Sequence, residues 1–424
     1  MDKALLLRGK GDGTFGSPQV VHETDQLYDA VAMDLNGDTK IDLLLQGGGP
    51  ALMFLPGRGD GTFGVAVLSP RPESFRITIA ELTGDGFDDV ALLGSIESTN
   101  DVLIIMAGNG QGSFVETQRF TLPAEAQATA AADLDVDGSS DLVISYFESP
   151  AIDLLFGRGD GTFEPPVSKQ SGSFGYSLTI ADAEGDGDLD ILVPHWDDDT
   201  VAVHRNLGGR TFTSAVYPLD IEPLGFSNNP SSAIVADVTG DGVLDLIVAA
   251  VNGQYVATLR GYGDGTFAPA SFKSALSLPG ALRAADLDGD GRVDLFTGDR
   301  IRGSVVALRN KCGDVGTIGF SSQKPTIAPG ESATFHVGVF GYGWPDSNFV
   351  IQPTGTVSIV EGNIVLATAP LISGAASVTI AGLSPGPHKL VARYSGDAQY
   401  EPAHSETVVQ VVTSTNGRRR AARH

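Results

Sequence analysis

Six times between residues 34 and 294 the chain crowds carboxylates into a nine-residue, glycine-broken turn between short apolar runs, and no other feature constrains the fold as tightly. The last of these turns, Asp286-Leu-Asp-Gly-Asp-Gly-Arg-Val-Asp294, places Asp286, Asp288, Asp290 and Asp294 at positions 1, 3, 5 and 9, with the Arg292 carbonyl available at position 7. Odd-numbered positions in a tight loop point the same way, so these acids repel one another unless a cation lies among them. An all-oxygen donor set selects a hard cation, and Ca²⁺ accepts about six to eight oxygens in flexible geometry. The first half resembles an EF-hand loop, but the bidentate Glu at position 12 and the flanking helices are missing. The flanks Ala281–Ala285 and Val293–Thr297 are short and stop at turn residues, which predicts a β-hairpin with the ion at its tip.

The other five turns supply equivalent ligands, in each case with a backbone carbonyl at position 7. They are Asp34, Asn36, Asp38, Lys40 and Asp42; Glu81, Thr83, Asp85, Phe87 and Asp89; Asp133, Asp135, Asp137, Ser139 and Asp141; Asp182, Glu184, Asp186, Asp188 and Asp190; and Asp237, Thr239, Asp241, Val243 and Asp245. Asn36, Thr83 and Thr239 are neutral at position 3, which lowers ligand charge and, with it, the expected affinity. Successive turns start 47, 52, 49, 55 and 49 residues apart. A period near 50 means a repeat protein whose unit cannot bury its apolar face alone.

The formal charge of −25 follows largely from these turns, whose positions 1, 3, 5 and 9 hold 21 carboxylates. Six bound Ca²⁺ ions would bring it to about −13. A chain this acidic lacks the basic face that nucleic-acid binding requires. Loops with short, exposed ligands suit millimolar calcium, hence an extracellular or cell-surface address. The N-terminus Met1–Arg8 has a brief apolar run and no cleavage-site pattern, so it is not read as a signal peptide, and an N-terminally truncated sequence is expected. The single cysteine permits no internal disulfide, and no apolar stretch approaches membrane-spanning length.

About 25 residues after each of the first five acidic turns comes a second one: Gly59-Asp-Gly-Thr-Phe63, Gly110-Gln-Gly-Ser-Phe114, Gly159-Asp-Gly-Thr-Phe163, Gly208-Gly-Arg-Thr-Phe212 and Gly263-Asp-Gly-Thr-Phe267, with Gly11-Asp-Gly-Thr-Phe15 near the start. Glycine supplies the positive φ of a tight hairpin and Phe anchors the next strand. Each unit then has four antiparallel strands, and four-stranded units repeated about an axis make a β-propeller. Small residues precede the first acid of five turns (Ala80, Ala132, Ala181, Ala236, Ala285), as a crowded axis demands. Arg58-Gly-Asp60 and Arg158-Gly-Asp160 are read as parts of these turns, not as cell-attachment signals.

The acidic turn, the Gly-Asp-Gly-Thr-Phe turn and segments such as Phe15-Gly-Ser-Pro18 resemble the FG-GAP/VCBS repeats of integrin α-chain propellers, fungal propeller lectins and many bacterial secreted proteins. The resemblance covers residues 4–311 and implies a propeller with calcium, up to six ions, at hairpin tips on one face. The strand count is 25, against 24 for six blades and 28 for seven, which leaves both a seven-bladed parent lacking the start of its first blade and six blades closed by the N-terminal strand.

The expected domains are a propeller over residues 1–311, a sandwich over 312–412 and a solvated basic tail over 413–424. Beyond Cys312, Thr/Val/Ile-rich strands alternate with Pro/Gly turns over about 100 residues, the size of a β-sandwich. Pro353-Thr-Gly-Thr-Val357, Leu383-Ser-Pro-Gly-Pro-His388 and Tyr394-Ser-Gly-Asp-Ala-Gln-Tyr400 resemble bacterial Ig-like repeats. No metalloprotease spacing, nucleophile elbow or phosphate loop is present, so a non-catalytic binding or adhesion module is expected, as a monomer. The rivals are the propeller of a polysaccharide lyase or hydrolase, and a structural spacer. Ligand binding is expected opposite the calcium tips, where Tyr146, Phe147, Phe174, Tyr176, His195, Trp196 and Phe226 concentrate beside Asp197, Asp198 and Asp199. Aromatic rings stack on sugars and carboxylates accept from hydroxyls, favouring a glycan over an extracellular protein partner.

Overall fold

The computed structural model describes residues 2–414 apart from 13, 25, 72–73, 97–99, 148, 220–227, 275–278, 300–303, 311–314, 342–352, 398–399 and 401. Every regular element among the described residues is a β-strand. The chain divides into two compact units, Met1–Asp237 with Val243–Arg309, and Val238–Gly242 with Asn310–His424.

Among the described residues the first unit holds 25 strands, the number expected. A two-stranded sheet of β1 (Asp2–Leu6) and β2 (Gln19–Thr24) precedes five four-stranded antiparallel sheets. These are β3 (Leu27–Met33), β4 (Asp42–Gly47), β5 (Ala51–Leu55) and β6 (Val67–Pro70); β7 (Ser74–Ala80), β8 (Asp89–Ile96), β9 (Asn100–Gly108) and β10 (Phe114–Thr121); β11 (Ala126–Ala132), β12 (Asp141–Tyr146), β13 (Ala151–Leu155) and β14 (Val167–Gln170); β15 (Thr179–Ala181), β16 (Asp190–His195), β17 (Thr200–Asn206) and β18 (Phe212–Pro218); and β19 (Pro230–Ala236), β20 (Asp245–Ala250), β21 (Tyr255–Leu259) and β22 (Ser271–Ser274). A three-stranded sheet of β23 (Pro279–Ala285), β24 (Asp294–Asp299) and β25 (Ser304–Leu308) follows.

Each acidic turn joins the first strand of a sheet to the second, and each Gly-Asp-Gly-Thr-Phe turn joins the third to the fourth. Both turns therefore lie at one end of the blade, and the turns between second and third strands lie at the other. The second strands are buried on both faces, every residue of β12, β16 and β20 being buried, which is why they read as unbroken apolar runs. Their side chains form cores between successive sheets; Val143, Leu154 and Phe156 of one pack with Ile191, Val193 and Ala202 of the next.

First strands of successive sheets lie side by side and are tied by hydrogen bonds from small polar residues. Ile77 N donates to Asp29 Oδ2 (3.2 Å), Thr78 Oγ1 to the Thr129 carbonyl (3.0 Å), Thr179 Oγ1 to the Ala233 carbonyl (2.7 Å) and Leu282 N to Ser232 Oγ (3.1 Å). Small side chains on these strands are what let neighbouring backbones approach. At the turn end a second tie repeats: Arg8, just after β1, donates to the Asp60 carbonyl in the second turn of the following sheet. Arg309, just after β25, donates likewise to the Asp12 carbonyl at 3.4 Å. The β1–β2 sheet thus follows the β23–β25 sheet around the axis as a seventh sheet position, with β1 on β2 and not on β25. It holds only the third and fourth strands of a blade. The equivalent third strand is wholly buried in β21, whereas no residue of β1 is.

In the second unit, β26 (Val315–Ser322), β28 (Ala333–Gly341) and β31 (Ala375–Ile380) form one sheet. The other runs β27 (Thr326–Ile327), β34 (Val408–Val412), β32 (Gly386–Tyr394), β29 (Thr356–Glu361) and β30 (Ile364–Pro370), with β33 (Ala403–His404) beside β32. Alternate residues of the two sheets, Phe335, Val337, Val357, Ile359 and Leu390 among them, make a single core.

Candidate metal loops and an aromatic cluster

Within the acidic turns each position has its own hydrogen-bonding duty. The position-1 acid accepts from the turn's backbone: Asp182 Oδ1 from Gly185 N (2.6 Å) and Oδ2 from Gly187 N (2.9 Å), and Asp286 in the same way from Gly289 and Gly291. Position 5 accepts from the amide two residues on, as Asp85 Oδ1 does from Phe87 N (2.9 Å). The position-9 acids Asp42, Asp89, Asp141, Asp190, Asp245 and Asp294 are completely buried. Their oxygens accept from amides on both sides: Asp141 Oδ2 from Leu134 N (2.8 Å) and Oδ1 from Gly157 N (2.8 Å), and Asp89 from Leu82, Thr83 and Gly108. Position 9 therefore fastens the acidic turn to the end of the third strand. Burial pushes the Asp141 carboxyl up to about 6, against the pull of those two amides. Asp190 is likewise raised, first by burial and further by the adjacent Glu184.

Position 3 has little backbone work, and there the structure leaves oxygens bare. Thr83 Oγ1, Glu184 Oε2 and Asp288 Oδ1 are buried without a hydrogen-bond partner. A buried acceptor left unmatched costs about 1–3 kcal/mol, more if charged, so a bare oxygen at the same position of three turns fits an ion that completes it. Three groups bring ligand oxygens within 4.8 Å of one another: Asp133, Asp135 and Asp141; Asp182, Glu184 and Asp190; and Asp286, Asp288 and Asp290. The donors are all oxygens, matching a hard divalent cation.

The three turns with an acid at position 3 also have an arginine there. Arg205 Nε meets Glu184 Oε1 at 2.5 Å, Arg210 Nε meets Asp135 Oδ2 at 2.5 Å and Arg309 Nη1 meets Asp288 Oδ2 at 3.4 Å. Arg210 is the residue that makes the turn Gly208-Gly-Arg-Thr-Phe212 depart from its siblings. It reaches the preceding sheet, where it also stacks 4.2 Å over the Phe156 ring and pairs with Glu164 at 2.8 Å.

At the opposite end of the blades, four of the seven residues expected to bind ligand come together. Phe147 and Phe174 meet edge to face with centroids 4.5 Å apart, Phe174 lies 5.8 Å from Tyr176 and 6.2 Å from Trp196, and Tyr176 stacks on Trp196 at 4.5 Å. Backbone bonds lock the segments: Trp196 N to the Phe174 carbonyl, Tyr176 N to that of Pro194, and Asn229 Nδ2 to that of Trp196, each 3.0 Å. Phe174, Asp199 and Asn229 have φ of 54°, 52° and 52°, in the left-handed region that non-glycine residues enter only under constraint. The Asp199 carboxylate accepts from the amides of Asn228 and Asn229, and Asp198 accepts from Ser173 N at 2.7 Å, so both brace the loops. Phe147 is 37% exposed, Trp196 and Tyr176 are half-buried, Asp197 is exposed, and Phe174 is buried at 9% beneath the other rings.

Besides buried Phe174, two of the expected residues lie in the interior outside the cluster, and one cannot be placed. Tyr146 is 2% exposed and donates to Asp153 Oδ2 at 2.6 Å, because its strand is covered on both faces. His195 is fully buried, with Nε2 2.9 Å from Ser171 Oγ and Nδ1 2.9 Å from Thr200 Oγ1. Phe226 lies outside the described residues. Ser171 also touches Nε2 of buried His204 at 2.9 Å, and His204 Nδ1 meets Ser214 Oγ at 2.7 Å, so a hydroxyl–imidazole chain that spacing did not reveal runs beneath the cluster. Burial lowers both imidazoles to about 4, leaving them neutral at physiological pH. Hydroxyls rather than a carboxylate hold Nδ1 of each ring, unlike a nucleophile–base triad.

Blades of four antiparallel strands arranged about an axis, with acidic first hairpins at one end, define a β-propeller. The sequence matches the FG-GAP-like repeat model over residues 81–144, 133–193 and 237–297, and the bacterial Ig-like domain (group 3) model over residues 320–413. The chain accordingly contains FG-GAP-like repeats within residues 81–297, followed by a group 3 bacterial Ig-like domain over residues 320–413. No curated protein matches it. Similar solved structures include an Agrocybe aegerita lectin that recognises non-reducing terminal N-acetylglucosamine, 20% identical over 72% of this chain and 87% of that one, with a TM-score of 0.47. BBS1N in complex with ARL6DN is 12% identical over 84% of this chain and 93% of that one (TM-score 0.44). The extracellular domain of a putative one-component system from B. thetaiotaomicron is 12% identical over 97% of this chain and 58% of that one (TM-score 0.39). Among the described residues no helix is long and apolar enough to cross a membrane. The pairing of an FG-GAP propeller with an Ig-like domain fits an extracellular binding module.

Proposed function

We propose that the protein is a calcium-stabilised, non-catalytic extracellular binding module whose propeller recognises a glycan at the Phe147–Phe174–Tyr176–Trp196 cluster. The observation that carries the reading is that cluster itself. Residues 147, 174, 176 and 196 come from three segments of two neighbouring sheets, and strained, hydrogen-bonded loops hold their rings in contact at the end away from the acidic turns. A ring set that served only as core would be covered, whereas Phe147 is 37% exposed. Flat apolar faces beside the free Asp197 carboxylate suit a pyranose, which offers an apolar face and a rim of hydroxyls. Calcium would be held by the acids at positions 1, 3, 5 and 9, supplying the positive charge that lets those acids share a turn.

A glycan array probed in calcium buffer tests this, with Trp196→Ala and Phe147→Ala as comparisons and each bound polysaccharide then assayed for cleavage. Binding that both variants lose while melting normally in calcium supports the site. Cleavage of a bound polysaccharide would make the protein an enzyme, and binding that survives both substitutions would move the site elsewhere.

A further inference from the structure

We infer that the Phe147–Tyr176–Trp196 surface selects a glycan that carries unacetylated, positively charged amines, and that Asp197 is the residue that reads the charge. The inference rests on the glycan reading above and names the ligand class of that same site. Six connections between strands reach this end of the sheets within residues 121–255: 121–126, 146–151, 171–178, 196–199, 218–230 and 250–255. Together they hold seven carboxylates and neither lysine nor arginine. Residues 120–259 contain four lysines and arginines in all, and each is engaged elsewhere. Arg158 donates to the Phe163 carbonyl, Arg205 pairs with Glu184, and Arg210 pairs with Asp135 and Glu164, all at the turn end. The Lys169 ammonium lies 5.2 Å from the ring centroid of Phe212, the first residue of β18 after that end.

The acidity stands beside the rings and calcium does not mask it. Asp197 is exposed directly after Trp196, and the amides that brace Asp198 and Asp199 are neutral donors that leave the charge of those acids in place. β16 runs six residues from the acidic turn at Asp190 to His195, which at about 3.3 Å per residue separates the two ends by roughly 20 Å. That is more than two Debye lengths at physiological salt, each about 8 Å, so ions bound at the turns are screened from this surface. Aromatic faces attract a cation within about 6 Å of the ring centroid, Trp most strongly. An ammonium on a sugar therefore meets a ring face and a carboxylate together. A uronate or sulfate group instead enters an acidic field in which no guanidinium or ammonium stands ready to pair with it.

The test uses the full chain in calcium buffer, at a mildly acid pH where sugar amines are charged. It is titrated calorimetrically with a short chitosan oligosaccharide, the fully N-acetylated oligosaccharide of the same length, and an oligogalacturonate. Expected are an amine form bound roughly tenfold tighter than the N-acetyl form, no heat from the oligogalacturonate, and a preference that shrinks as salt is raised. Asp197→Asn, which keeps an acceptor and loses the charge, should lower that preference roughly threefold, while Asp197→Glu should retain most of it. Equal affinity for the two forms, tighter binding of the N-acetyl form or of the uronate, or a preference untouched by Asp197→Asn overturns the inference and leaves the glycan reading standing. Amine binding that survives Trp196→Ala is the general pull of an acidic protein on a cation, and it overturns the inference too. Binding to none of the three likewise overturns it, and only a glycan array without a hit overturns the glycan reading itself.

Discussion

Replacing Asp89 with Ala separates what the acidic turns do as structure from what they do as ligands. Asp89 is fully buried and accepts three backbone amides: Leu82 N at 2.8 Å, Thr83 N at 2.9 Å and Gly108 N at 2.8 Å. Hydrogen bonds to a charged group contribute about 1.5–3 kcal/mol each, and the substitution leaves three amides without their acceptor. Because the three share one carboxylate their losses are not additive, and a total near 5 kcal/mol is a fair working figure. For a unit of this size that is a fall of roughly 10 °C or more in melting temperature. Asp85, exposed in the same turn, accepts from Phe87 N and adds little to the metal-free fold. Scanning calorimetry in EDTA should therefore show Asp89→Ala melting far below wild type and Asp85→Ala close to it, whereas in calcium both should fall. Asp89→Asn, which keeps one acceptor but turns an amide towards a donor, should lie between. An Asp89→Ala protein that melts with wild type in EDTA would refute the structural role of position 9.

Excess EDTA should lower the wild-type melting temperature markedly and Mg²⁺ should restore it poorly, because Mg²⁺ demands a smaller octahedral cage; melting curves that coincide with and without chelator would contradict this. Calcium uptake near pH 6 should release protons, since burial holds Asp141 protonated up to about 6 in the metal-free protein and binding requires the carboxylate; a pH-stat titration reads the release. His195 and His204 titrate near 4 when folded and near their ordinary value when unfolded, so the unfolded state binds the extra protons as pH falls. They contribute stability that is present at pH 7 and lost between about 6.5 and 4, by up to roughly 3 kcal/mol per ring, and His204→Asn should flatten the acid limb of the stability curve. Ring signals that titrate near 6.5 by NMR would contradict it.

The sequence made the strands and their order legible because glycine-rich turns recur at fixed intervals and each turn chemistry belongs to one hairpin. Among the described residues the propeller unit holds twenty-five strands, the number the turn spacing predicts. The site was less legible, for reasons that lie in single residues. Asp141-Leu-Val-Ile-Ser-Tyr146 is covered on both faces, so the alternation that separates inward from outward side chains is absent, and Tyr146 read as a loop aromatic. Ser171, His195 and His204 are separated along the chain and meet only because β14 leads into the next sheet. Arg210 was visible as an oddity in its turn, but its partner Asp135 lies 75 residues away. Local chemistry could be read from spacing; contacts between sheets could not.

Those contacts give the two ends of the blades different mechanical roles. At the turn end the backbone is held by carboxylates that accept from amides of their own hairpin and of the third strand of the same sheet, so a residue changed there alters the fold before it alters a surface. The end carrying residues 147, 174, 176 and 196 is joined instead by bonds between segments: Trp196 to Phe174, Asn229 to Trp196, and Asp199 to Asn228 and Asn229. None of these bonds uses an aromatic side chain, so a ring there can change with little effect on the strands beneath. Left-handed φ at Phe174 and Asp199 persists because the buried second strand on one side and the hydroxyl–imidazole chain beneath give those loops a rigid floor. Removing that floor with Ser171→Val would therefore loosen the rings without touching them, and binding should weaken although every aromatic side chain remains.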